Sequence, residues 1–210
     1  MGNILYYVNP PPALPWDDFQ HVEIFGSIDG ITKVVVGGSV NLFGTYLEVK
    51  SGDVAAKNAL CYKEMSLTMP ELVWDKRRTI KVKTRFVAEG SAGGLLRIGF
   101  GSFGNDRWVG IEITDGIVNA KTVNVAGSKA EQLYDWSAGA YDETLEIEIR
   151  FFAAARAEFW INAALAVAIT ENIPTGSFKS ERIFEIYAEN GANAENKRIE
   201  ISMVLFHQVK

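Results

Sequence analysis

Few residues in this sequence could do chemistry, and their spacing limits what they can do. The row Glu146-Ile147-Glu148-Ile149-Arg150 sets two carboxylates two residues apart. Residues at that spacing leave the same face of a strand, where paired carboxylates can flank a glycosidic bond as nucleophile and acid. The third outward position is Arg150 rather than an acid, so the row is read as a solvated strand face. His21 and His207, the two histidines, stand near opposite ends with no ligand spacing around them, and nothing local builds a zinc site or a Ser-His-Asp arrangement. Cys61 is the single cysteine, which excludes an intrachain disulfide and a cysteine-rich metal site. Gly37-Gly38 and Gly99-Phe100-Gly101 lack the lysine and the strand-to-helix setting of a phosphate loop. With no catalytic set in the chain, the expectation is a protein that is not an enzyme.

What remains is binding chemistry. Trp108, Tyr134, Trp136, Tyr141 and Trp160, with Asn162 beside the last, are the candidate contacts to a glycan or to a protein partner. An aromatic ring with a polar atom on a half-exposed face suits either a sugar ring or a subunit interface. Trp160 stands between inward-reading Phe159 and Ile161, so it points away from the core.

These residues need strands to hold them, and the chain is patterned for strands. Thr79 to Ala88 alternates Ile80, Val82, Thr84 and Phe86 against Lys81, Lys83 and Arg85; Thr144 to Phe151 alternates Leu145, Ile147, Ile149 and Phe151 against Glu146, Glu148 and Arg150. Further strands are expected at Leu95–Phe103, Arg107–Thr114, Ile117–Val123, Glu158–Asn162, Leu165–Thr170, Ile183–Ala188 and Arg198–His207, with Lys33–Val36, Thr45–Val49, Ala59–Tyr62 and Ser66–Met69 before them. Asp115-Gly116 supplies a two-residue hairpin turn. Phe152 to Ala168 is rich in alanine, which favours helix, but Trp160-Ile161-Asn162 and the alternation Leu165, Val167, Ile169 favour two strands. The basic residues of the first strand and the acidic residues of the second are read as lying on different outward faces.

The 210 residues, 48% hydrophobic and with a net charge of -5, are enough for one self-sufficient core. The acidic balance argues against a nucleic-acid or anionic-membrane surface. Lys76-Arg77-Arg78 is the local exception and reads as part of a strand face. No apolar run reaches the roughly 18 residues of a membrane helix, and the expectation is a soluble chain without membrane insertion. Residues 1–18 read as an extended arm: Pro10, Pro11 and Pro12 remove backbone donors, and Tyr6, Tyr7 and Trp16 are the aromatic candidates for an interface with another subunit. Residues 19–210 are expected to form a single domain.

The half from Arg107 onward resembles a concanavalin A-like jelly roll, the superfamily of laminin-G-like and pentraxin-like modules. The resemblance is carried by Trp108-Val109-Gly110-Ile111-Glu112-Ile113, Leu145-Glu146-Ile147-Glu148-Ile149, Glu158-Phe159-Trp160-Ile161-Asn162, Ile173-Pro174-Thr175-Gly176 and the closing strand Arg198 to Val204. Ala163 stands where such modules carry a turn glycine. The resemblance implies an all-β, antiparallel two-sheet sandwich preceded by the proline-rich arm. It implies a structural, assembly or adhesion module of a virion or cell surface, such as a capsid decoration or tail protein, or else a carbohydrate-binding module. Glycosidases on this fold carry Glu-x-Asp-x-Glu where this chain has Glu146, Glu148 and Arg150, so hydrolysis ranks third. The resemblance also implies that Ca²⁺ can sit at a sheet rim, with oxygens from Asn105, Asp106 and Asp115 or from Asp135 and Asp142, although turn-forming is the expected role of these residues.

Overall fold

The computed structural model describes residues 21–23, 31–64, 74, 77–88, 94–105, 107–114, 117–135, 144–176, 182–192 and 197–208. The arm residues Tyr6, Tyr7, Pro10, Pro11, Pro12 and Trp16 lie outside them, as do the expected strand Ser66–Met69 and the candidates Trp136 and Tyr141.

The described residues form fifteen strands: β1 (His21–Glu23), β2 (Thr32–Val36), β3 (Ser39–Phe43), β4 (Tyr46–Lys50), β5 (Asn58–Glu64), β6 (Arg78–Ala88), β7 (Leu95–Ser102), β8 (Arg107–Thr114), β9 (Ile117–Asn124), β10 (Gly127–Asp135), β11 (Thr144–Phe152), β12 (Arg156–Ile161), β13 (Ala164–Ile169), β14 (Arg182–Glu189) and β15 (Lys197–Gln208). A single turn of 3₁₀ helix, Phe103–Asn105, separates β7 from β8. The front sheet runs β13-β12-β11-β6-β15-β4-β3, with β1 also pairing to β15; the back sheet runs β10-β9-β8-β7-β14-β5-β2. The ladders between named strands are antiparallel. This is the expected all-β sandwich of jelly-roll type.

The alternation in the sequence becomes the core directly. Leu145, Ile147, Ile149 and Phe151 of β11 and Ile80, Val82 and Phe86 of β6 are buried against Ile98, Phe100, Val109 and Ile111 of the back sheet. Trp74 sits between the sheets with its ring stacked 5.5 Å from Phe100 and edge-on 5.1 Å from Phe151, and its amide donates to the Gly176 carbonyl at 2.9 Å. Fully burying each such side chain stabilises the fold by roughly 1.5–3 kcal/mol.

The alanine-rich segment is a hairpin and not a helix. Asn162 and Ala163 both have positive φ, 49° and 66°, which is the two-residue turn whose twist matches that of the flanking strands. The alternation expected at Leu165, Val167 and Ile169 needs correction. Phe159 pairs with Val167 but Trp160 pairs with Leu165, so Ala166 is an extra residue in β13. The shift leaves Val167 and Ile169 toward the core and puts Leu165 on Trp160's face, 51% exposed. The charged rows need correction too. β6 and β11 are neighbours in one sheet, so Lys81, Lys83 and Arg85 share an outer face with Glu146 and Glu148.

Candidate functional site

The outer face of the front sheet is built from β11, β12 and β6. Cross-strand register aligns Trp160 with Glu148 and Lys81, and Glu158 with Arg150 and Thr79. Each carboxylate in this patch has a cation. Glu148 is bound by Arg150 at 2.5 Å, Glu146 by Lys81 at 2.6 Å and Glu158 by Arg156 at 2.7 Å. Farther along the sheet Arg85 holds Glu200 at 2.8 Å, and Arg198 lies 3.2 Å from Glu200 and 3.8 Å from Glu48. Glu146 and Glu148, the two carboxylates at the spacing of a glycosidase pair, are each ion-paired to a basic side chain.

Trp160 is fixed within this lattice. The Arg150 guanidinium lies 4.0 Å from its ring centroid, and the indole N–H donates to Glu158 Oε2 at 3.3 Å. A stack and a hydrogen bond hold the ring in one orientation, which lowers the entropy lost when a partner covers it. Next to it Leu165 is turned out by the bulge, so the half-exposed indole and a half-exposed leucine form an apolar pair at the edge of the sheet. The site residue that sequence reasoning missed is Leu165, because period-two alternation assigns it to the core. Asn162 lies in the adjacent turn, where its Oδ1 accepts the Glu146 amide at 3.0 Å. That carboxamide works as a turn clamp, with its oxygen already engaged.

Trp108 is the correction among the candidate binding residues. Its neighbours Val109, Ile111 and Ile113 face the core, so Trp108 does leave the outer face of the back sheet, yet it is fully buried. The indole lies flat across two glycines. A Cβ on Gly99 would fall 2.7 Å from Trp108 Cε2, and one on Gly110 would collide with the six-membered ring. Phe103 then covers it edge-on at 5.4 Å. Around Phe103 the Arg97 guanidinium sits 3.8 Å from its centroid and Lys121 Nζ 5.1 Å, while Arg97 also stacks 4.6 Å from Tyr187. Glu112 takes Lys121 at 2.7 Å, and Tyr187 donates to Glu189. Burial pushes the Tyr187 phenol well above its ordinary value, helped by that hydrogen bond, and burial lowers Arg97. No glycan can stack on Trp108 while this cap is in place.

Tyr134 belongs to β10, but its side chain lies outside the described residues, as do those of Asp135 and of the two histidines. Of the calcium candidates, Asp106, Asp115 and Asp142 also lie outside them, and Asn105 falls in the 3₁₀ turn. Among the described residues no group of three or more His, Cys, Asp or Glu is placed to hold a metal ion, and none of their helices is long and apolar enough to cross a membrane.

No family model matches the chain and no curated protein matches its sequence. Solved structures share its fold. The binding domain of botulinum neurotoxin DC, solved in complex with rat synaptotagmin II, has a TM-score of 0.60 at 14% identity, covering 84% of this chain and 43% of that one. A structure of botulinum neurotoxin type C, whose cell entry is dependent upon interaction with two ganglioside molecules, has a TM-score of 0.58 at 13% identity, covering 84% of this chain and 42% of that one. A protein of unknown function from Shewanella oneidensis MR-1 has 0.57 at 15%, covering 87% of this chain and 80% of the other. The chain thus spans less than half of the neurotoxin domains it resembles, and the likeness establishes a sandwich fold shared with binding domains.

Proposed function

We propose that the chain is a non-catalytic assembly or adhesion module that works through protein contacts, with the Trp160–Leu165 edge of the front sheet as its contact surface. One observation carries the reading: a β-bulge turns a large apolar residue outward beside a tryptophan already held rigid by Arg150 and Glu158. Bulges re-aim side chains at working surfaces, and rigid aromatic anchors are what interfaces use. The concanavalin A-like membership, the division into arm 1–18 and domain 19–210, and the setting on a virion or cell surface belong to the same proposal. In it the arm residues Tyr6, Tyr7, Pro10 to Pro12 and Trp16 add subunit contacts. Sedimentation velocity of the full chain against a chain lacking residues 1–15 tests the arm; assembly unaltered by the deletion removes the arm from the account.

The second reading is a carbohydrate-binding module. The fixed indole favours it, since Trp160 offers an oriented apolar face with polar groups at its rim. A glycan array run with the natural chain and with Trp160→Ala decides between the two. Binding that disappears in the variant establishes the glycan reading, and silence on every glycan leaves protein contact.

A further inference from the structure

We propose that the partner at this edge is a second copy of the same chain, with β13 pairing antiparallel to β13 across a two-fold axis and Trp160 and Leu165 packed beside the seam. The proposal rests on the assembly reading above.

Among the described residues β13 is bonded to β12 alone, which leaves a row of backbone donors and acceptors on its other side. Edge strands usually carry charges that discourage pairing. β2 has Lys33, and β10 has Lys129 and Glu131. β13 has none, and from Ile161 to Thr170 the chain contains no charged residue. β3 is also uncharged, but Val40 is buried and Leu42 half-buried there, whereas Ala164, Leu165, Ala166 and Ala168 of β13 are exposed.

The absence of charge points to a copy of this chain over a foreign protein. Foreign partners are selected and oriented by complementary charge, and this strand presents none to select with. A two-fold axis, in contrast, makes each surface meet itself, so any charge near the axis would face its own image. An axis between Ala166 and Val167 sets residue 162 against residue 171. Glu171, which pairs with Lys129 at 3.3 Å, then falls beside Asn162 of the other copy and not beside the other Glu171. The charged end of the strand therefore meets the neutral end. Leu165, outward because of the extra Ala166, adds apolar area flanking the new ladder.

The test is sedimentation equilibrium of the full chain with Ala166→Lys, Ala166→Asp and an equimolar mixture of the two. Ala166 is exposed, so both variants should keep the fold, which circular dichroism checks. The expected result is a dimer of the natural chain, association weakened at least tenfold in each variant alone, and recovery of a dimer in the mixture. Leu165→Ser, which adds no charge, should weaken association by about threefold. A natural chain that sediments as a single chain at every concentration overturns the proposal, and so does a dimer indifferent to both Ala166 variants. A dimer lost on deleting residues 1–15 but kept by the Ala166 variants overturns β13 pairing while leaving the assembly reading intact through the arm.

Discussion

Trp108 and Trp160 are both outward residues on central or near-edge strands, and they end in opposite states. On the back sheet, Trp108 finds Gly99 and Gly110 on the neighbouring backbone positions, lies flat on them and is sealed by Phe103. On the front sheet, Trp160 finds Glu148 and Arg150 beside it, stands on the guanidinium and stays half-exposed. An outward tryptophan is therefore available to a partner only if the residues across the strand are too large to let it lie down. The back sheet seals Trp108 under a closed cap, and the front sheet keeps Trp160 half-exposed beside the uncharged strand β13.

The comparison can be broken by removing each ring. Trp108→Ala empties a buried position and should cost about 4 kcal/mol of stability, whereas Trp160→Ala should cost about 1 kcal/mol, its loss being one cation–π stack and one part-buried hydrogen bond. Urea unfolding of the two variants side by side checks this, and equal costs would erase the distinction. A smaller effect is expected at the floor of the cap. Gly110→Ala pushes a methyl into the Trp108 ring and the Ile98 carbonyl, and should cost about 2 kcal/mol by overpacking. A neutral outcome would mean that the indole is free to move off the glycines.

The weakest probe is pH. Tyr187 holds its proton more firmly in the folded chain than in the unfolded one, first because it is buried and then because it donates to Glu189. Its contribution is complete below the ordinary phenol value of about 10 and is lost as pH rises above it, because the unfolded chain ionises first. Thermal unfolding of the natural chain should fall more steeply above pH 10 than that of Tyr187→Phe. Matching slopes would detach Tyr187 from the back-face cap.

Much of the sandwich was legible because the apolar residues of β6, β8, β11 and β15 alternate with period two, and those apolar residues line the core in the structure, Trp108's capped outer position on β8 being a departure from the burial period. Trp160's outward direction was legible for the same reason. Three things were not. Strand order is set by long-range pairing, so the adjacency of β6 and β11, which turns two charged rows into one ion-pair lattice, has no local signal. β10 is a polar edge strand with little apolar pattern and is not among the expected strands. The bulge at Ala166 depends on how β13 meets β12, and a one-residue slip reverses every side chain beyond it; the run Ala163-Ala164-Leu165-Ala166 carries no glycine or proline to mark it.

The claim that the neutral edge of the front sheet is where this chain makes contact is tested most directly by amide hydrogen exchange at low and high protein concentration. The β13 amides, on the uncharged edge, should slow at least tenfold on concentration, while the β10 amides, on the charged edge of the back sheet, should not change. Unchanged exchange in β13, or slowing in β10 instead, would contradict the account.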